Sequence, residues 1–313
     1  MVVVTIAAIS GLQAQQAPIF TNFTNSYSYA NAGFAGLSQG VNVLGLYRQQ
    51  WAGFVDNNGN EIAPTTFLLT GDMPFKKLHG GLGFSIMQDK IGFEDNTNVG
   101  IGYSYHFDLG GSLLGVGVAG TLLNRTVDFS NLTPTNSADP LLQGLGEESD
   151  MLFDFNAGIF WQIPESFYIG VSAVNVLETV GKALGQNAES SASFTTDRTF
   201  YLFAGYPFSF EMLPTFTFVP AVSVMSDLAS TQVNVSAKVI YNNVFSLGAN
   251  YRPQESVDLM VGLIIKDIMI GYSYDINTMG LVGVPGSHEI AVSYCFKLDL
   301  DRTPRDYRSV RFL

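Results

Sequence analysis

The sequence predicts an all-β protein, a transmembrane antiparallel β-barrel of about 14 strands. Three observations lead there. Between Val41 and Phe296, apolar residues alternate with small or polar ones in runs of roughly ten residues. The connections between runs switch between tight and long, as in outer-membrane barrels, which have short periplasmic turns and longer extracellular loops. Charged residues make up 13% of the chain and aromatics another 13%. The charged share is about half that of a soluble domain. No run of roughly 18 apolar residues is present, which argues against a helical membrane protein.

Taken in order, residues 1–14 read as a secretory signal. The apolar MVVVTIAAI is followed by Ser10, Gly11 and Leu12-Gln13-Ala14, with cleavage expected before Gln15. Residues 15–40 are rich in Asn, Tyr, Phe, Ala and Gly without a sustained period, and form either a periplasmic strap or a plug in the lumen. Residues 41–298 are the barrel. Its last five runs alternate most cleanly, with Val233, Val235, Val239 and Tyr241 opposite Asn234, Ser236 and Lys238. Later, Ile290, Val292, Tyr294 and Phe296 lie opposite Glu289, Ala291 and Ser293. In lipid the apolar set faces outward, and closure satisfies the backbone hydrogen bonds. A soluble β-sandwich also alternates, but it needs far fewer strands and leaves the unequal turns unexplained.

Tight turns are expected at residues 108–111, 164–165, 242–243 and 266–267. Long loops are expected at 55–64, 88–97, 125–150, 177–196 and 276–287. The region from Pro207 to Pro220 is proline-interrupted, so its strands are hard to phase. Tyr103, Tyr105, Phe107, Phe167, Tyr168, Tyr272, Tyr274, Tyr294 and Phe296 sit near run ends, where interfacial girdles belong. This topology places both chain ends in the periplasm. Residues 299–313 form a tail in which Arg302, Arg305, Arg308 and Arg311 alternate with acids, a docking strap for a periplasmic partner.

The net charge of −12 comes from acids read as lying in connections, among them Asp89, Glu94, Asp95 and Asp128. This balance disfavours nucleic acid, which calls for clustered Lys and Arg. Little catalytic chemistry survives. Gly115-Val-Gly-Val-Ala-Gly120 has dinucleotide-like spacing but lies inside a strand-like run, where glycines allow close backbone approach. His79, His106 and His288 are scattered, and Asp56–Glu61 has its glycine too early for an EF-hand. Lone Cys295 excludes an internal disulfide. No catalytic residue, metal or cofactor is expected. In Tyr47-Arg48-Gln49-Gln50-Trp51, placing Tyr47 and Trp51 on the lipid face turns Arg48 and Gln50 into the lumen. There the charge needs a partner, from another strand, the N-terminal segment or a bound ligand.

Gln16-Ala-Pro-Ile-Phe20, Asn31-Ala-Gly-Phe-Ala-Gly36, the block Tyr47–Phe54 (YRQQWAGF), Gly80-Gly-Leu-Gly83, Asp89-Lys-Ile-Gly92 and the terminal YRSVRFL occur in this order. On these residues the chain resembles the PorP/SprF family of Bacteroidota type IX secretion outer-membrane proteins. It departs at Ala32, where the resemblance leads one to expect proline. The resemblance implies a barrel that binds the C-terminal signal domain of a secreted adhesin and anchors or helps export it, with periplasmic secretion or gliding components as further partners. Arg48, Gln50, Trp51 and the four tail arginines are the expected partner contacts. A passive porin or hydrophobic-solute transporter is the rival reading.

Overall fold

The structure, a computed structural model, describes residues 18–38, 40–55, 62–129, 146–164, 166–182, 194–279 and 286–297. The signal at 1–14, the tail arginines 302, 305, 308 and 311, the loop Asp56–Glu61 and the middles of the loops 125–150, 177–196 and 276–287 lie outside these residues.

Among the described residues fifteen strands form one antiparallel sheet. They are β1 (Gly40–Gln49), β2 (Thr65–Phe75), β3 (Gly80–Ile91), β4 (Glu94–Asp108), β5 (Leu113–Asp128), β6 (Glu147–Ile163), β7 (Phe167–Val174) and β8 (Thr199–Gly205). After these come β9 (Phe208–Phe210), β10 (Leu213–Ser226), β11 (Thr231–Tyr241), β12 (Phe245–Arg252), β13 (Ser256–Ile265), β14 (Ile268–Asn277) and β15 (Ser287–Lys297). Each strand pairs with the next, except that β10 takes the place beside β8, and β15 closes on β1. The result is a closed 14-stranded barrel. β9 is an extra strip along the first half of β10. Two prolines explain it. Pro207 follows the end of β8, and Pro220 accepts from Tyr206 N at 3.1 Å but has no N–H to return the bond, so the β8–β10 ladder stops there.

One rim carries tight connections at 76–79, 109–112, 164–166, 242–244 and 266–267, together with residues 206–212, which hold β9. The opposite rim carries long ones at 50–64, 129–146, 175–198 and 278–286, mixed with tight ones at 92–93, 227–230 and 253–255. The long loop expected at 88–97 is instead a two-residue turn with Gly92 at φ +60°, and β3 and β4 run on to meet it. Asp89, Glu94, Asp95 and Asp128 are therefore strand residues rather than loop residues.

The expected faces hold along β11 to β15. Val235, Leu247, Leu259, Ile270 and Val292 are exposed toward lipid, whereas Asn234, Asn250, Asp258, Ser273 and Ser293 are buried inside. Tyr168 departs from its expected girdle position. It is fully buried in the lumen, as are Phe160 and Phe203. They face inward because the lumen is filled.

The filling is the N-terminal segment. Residues 18–38 form three short helical turns, Phe23–Ser26, Tyr27–Ala30 and Ala32–Phe34. Phe23, Tyr27, Ala30, Phe34 and Leu37 pack against Phe160, Tyr168, Tyr201 and Phe203, while Phe20 packs on Leu44, Leu46, Leu68 and Met87. Burying each large side chain contributes roughly 1.5–3 kcal/mol. The Tyr27 hydroxyl donates to the Tyr168 hydroxyl at 2.9 Å, so the aromatic centre is also polar-satisfied.

A bed of wall glycines lets this segment's backbone touch the barrel. A Cβ on Gly33 would lie 2.7 Å from the Gly115 carbonyl oxygen and 2.8 Å from that of Gly158. One on Gly117 would collide with the Ala32 carbonyl. Gly115 and Gly117 of the dinucleotide-like run are thus a seat for residues 32–33, whereas Gly120 lies against Phe153 and Phe155. Asn31 accepts from Gly33 N at 2.9 Å and donates to the Ile159 and Val171 carbonyls at 3.1 and 3.2 Å. The turn therefore forms with alanine at position 32.

Candidate functional site

The lumen segment runs the height of the barrel. Its lower end is held where Gly36 N and the Ser38 hydroxyl donate to Asp72 on β2 (3.2 and 3.4 Å). Midway, Ser172 donates to the Ala30 carbonyl (2.6 Å) and Ser104 to the Gly33 carbonyl (3.0 Å). Its upper end, Pro18 and Ile19, reaches the long-loop mouth. Gly40 and Lys297 share the tight-turn rim, whereas Pro18 lies at the opposite end from Gly40.

At the mouth the alternation of β1 turns Arg48 inward, as the sequence implied, and strand register supplies its partners. Glu289 is directly opposite on β15, and Asp275 lies one strand further, on β14. Arg48 contacts Asp275 at 2.6 Å, Glu289 at 3.6 Å and the Thr21 hydroxyl at 2.5 Å. Arg252 on β12 reaches the same Asp275 oxygen at 2.8 Å, Asp258 at 3.3 Å and Glu255 at 3.4 Å. Two guanidinium groups thus face four carboxylates. The lumen segment is tied into this cluster. Glu289 accepts from Thr21 N (2.7 Å) and Asn22 N (3.0 Å), the Thr21 hydroxyl donates to Asp275 (2.6 Å), and Asn250 donates to the Thr21 carbonyl. Charge-assisted bonds of this kind are roughly twice as strong as neutral ones, so the network anchors the segment, while its two cations offset only half of the four carboxylate charges.

Above the cluster lies a cavity of about 640 Å³, bordered by Pro18, Arg48, Gln50, Trp51, Asp89 and Glu255 among others. The structure thus brings Arg48, Gln50 and Trp51 together. Trp51 does not continue the lipid face of Tyr47, because β1 ends at Gln49. Trp51 sits in a turn at φ +51°, its ring 6.2 Å from that of Phe54. Asp89, on β3, is the wall residue that the loop assignment missed. It is 6% exposed, and its one side-chain hydrogen bond among the described residues comes from Thr66 at 2.5 Å.

Elsewhere on the long-loop rim, acids of neighbouring connections lie close together. Burial, then the neighbouring Asp227 and Glu178 carboxylates, holds the Asp197 carboxyl above its usual range. Among the described residues no three His, Cys, Asp or Glu side chains gather in a metal-holding group. His106 Nε2 lies 2.9 Å from the Ala35 carbonyl, and His288 Nδ1 is 2.8 Å from the Tyr272 hydroxyl.

Two solved outer-membrane structures share the fold. The toluene transporter TbuX of Ralstonia pickettii aligns over 87% of this chain and 94% of its own, at TM-score 0.50 and 12% identity. A Pseudomonas aeruginosa FadL homologue aligns over the same shares, at TM-score 0.50 and 10% identity. At such identities the likeness concerns architecture alone. No curated protein matches the chain by sequence. The model of the family described as type IX secretion system membrane protein PorP/SprF matches residues 12–294, nearly the whole barrel with the segment that fills it. With that match spanning the lumen segment, the glycine seat and the mouth cluster, the chain belongs to the PorP/SprF family of type IX secretion outer-membrane proteins.

Proposed function

We propose that this barrel binds the C-terminal signal domain of a secreted adhesin and anchors it, or helps export it, at the cell surface. One observation carries this reading beyond family membership. The lumen is occupied by the protein's own residues 18–38, held by hydrogen bonds to the buried ion-pair cluster and by an aromatic core. A barrel filled in this way is suited to holding a macromolecule at its rim rather than to passing solutes. With the long loops outward, Gly40 and Lys297 open to the periplasm, and the mouth with Pro18, Arg48, Gln50 and Trp51 opens to the cell exterior. The cargo domain docks on that mouth. Arg302, Arg305, Arg308 and Arg311, which follow β15 in the chain, engage a periplasmic secretion or motility component.

A passive porin or a hydrophobic-solute transporter is the second reading, favoured by the architecture shared with TbuX, whose name gives toluene as its cargo. Affinity purification of the intact protein from its native membrane separates the two. Anchoring predicts a co-purifying adhesin and its release or intracellular retention when the gene is deleted. Unchanged adhesin display in the deletion strain, with solute conductance by the purified barrel, would sink the anchoring reading.

A further inference from the structure

The inner wall at the mouth carries one register row, Glu289 on β15, Arg48 on β1, Thr66 on β2 and Asp89 on β3. Its charges do not cancel. Arg48 is drawn away from Asp89 toward Asp275 and Glu289, and Lys90, the next residue along β3, pairs with Asp95 at 3.1 Å. Asp89 is left more than nine-tenths buried, bordering the cavity, with Thr66 as its donor and no ion-pair partner among the described residues. On the far wall Glu255 shares Arg252 with Asp258 and Asp275. A buried carboxylate without a counter-charge is costly, and a cation brought to it is correspondingly favoured.

We propose that the mouth cavity is a receptor for a lysine or arginine side chain of a docked polypeptide, with Asp89 as the counter-charge and Trp51 as an aromatic wall. The proposal rests on the docking reading above and specifies its chemistry. The volume of about 640 Å³ lies within the roughly 300–1,000 Å³ of ligand pockets. An aliphatic stem finds Pro18, Ile19, Pro64 and Met279, and the cationic end finds Asp89. Trp51 borders the same cavity, and an indole there is a favourable neighbour for a cation. An anionic segment meets the excess carboxylates, and a purely apolar one leaves Asp89 unpaired.

The chain has two tryptophans, so Trp161→Phe leaves Trp51 as the sole reporter of the cavity. The whole protein, folded in detergent, is titrated with trilysine, with trinorleucine and triglutamate as controls. Trilysine is expected to change Trp51 emission saturably, with binding that weakens as salt rises. Asp89→Asn should weaken it about tenfold, whereas Asp89→Glu retains it. Equal responses to trilysine and triglutamate, salt-independent binding, or an Asp89→Asn variant that binds trilysine as the parent does, would each overturn the proposal. The salt series and peptide comparison are made on protein with Asp89 intact, so they decide the matter even where Asp89→Asn does not fold. Co-purification from native membranes separates the two ideas. If Asp89→Asn abolishes trilysine binding yet the adhesin still co-purifies, anchoring stands and this cavity is not its contact. If trilysine binds but no adhesin co-purifies with the unaltered protein, the anchoring reading alone fails.

Discussion

Arg48 on β1 and Asp275 on β14 meet at 2.6 Å although β15 runs between them, and the same Asp275 oxygen also receives Arg252 at 2.8 Å. The carboxylate therefore joins two guanidinium groups across the line where the sheet closes. Because the cluster holds more carboxylates than cations, the partners are not equivalent. Arg48→Met takes one of two guanidinium partners from Asp275, the ion-pair partner from Glu289 and a donor from the Thr21 hydroxyl, and should cost about 3–5 kcal/mol. Asp275→Asn relieves part of the acidic excess and should cost clearly less. Urea unfolding of the detergent-folded barrel checks the ranking, and equal midpoints for the two variants would refute it.

The glycine seat makes a second prediction. Gly33→Ala drives a methyl group into the Gly115 and Gly158 carbonyls, both backbone atoms that cannot swing aside. Overpacking of that kind costs typically about 1–3 kcal/mol. Gly45→Ala, on the lipid face of β1 with nothing within 4 Å, should be silent. Thermal loss of the heat-modifiable folded band on a gel would compare them.

Lys238 runs against the usual expectation for removing a charge. Its ammonium is buried on β11, and its one hydrogen bond among the described residues is to the Thr24 hydroxyl at 3.5 Å. Lys238→Met keeps most of the side-chain volume and removes the buried charge, so the unfolding midpoint should stay or rise. A large fall would mean that a counter-charge outside the described residues holds this lysine.

The position of the lumen segment can be tested covalently. The Ser28 and Thr70 hydroxyls lie 3.0 Å apart, between the helical turn Tyr27–Ala30 and β2. In a Cys295→Ser background, Ser28→Cys with Thr70→Cys should oxidise to a disulfide and lose maleimide labelling. Two thiols that stay fully labelled after oxidation would show that residues 18–38 leave the lumen.

The barrel itself was legible because lipid imposes the strictest pattern. Val235, Leu259 and Val292 must be apolar, and their neighbours had no such demand, so the period of two stands clear. The filled lumen was harder to read, because alternation reports only which face is apolar. Where a second core lies inside, both faces are apolar and the signal fades. Phe160, Tyr168, Tyr201 and Phe203 are the places where it fades, and their inward-facing parity was the available clue. Asp89 was missed for a related reason. Beyond the membrane the strands lose their apolar face, so β3 and β4 read as a loop although their ladder continues to Ile91 and Glu94.

The interior segment also constrains the order of events during assembly. Residues 18–38 precede β1, and β1 meets β15 only after every other strand has been laid down. In the closed barrel Phe34 and Tyr27 are wedged among Phe160, Tyr168 and Phe203. A sheet that wraps around a segment already seated on the wall glycines reaches this packing without drawing those rings through a finished cylinder. The first part of the chain then acts as the mandrel on which the rest is wound, and β1–β15 pairing is the act that traps it.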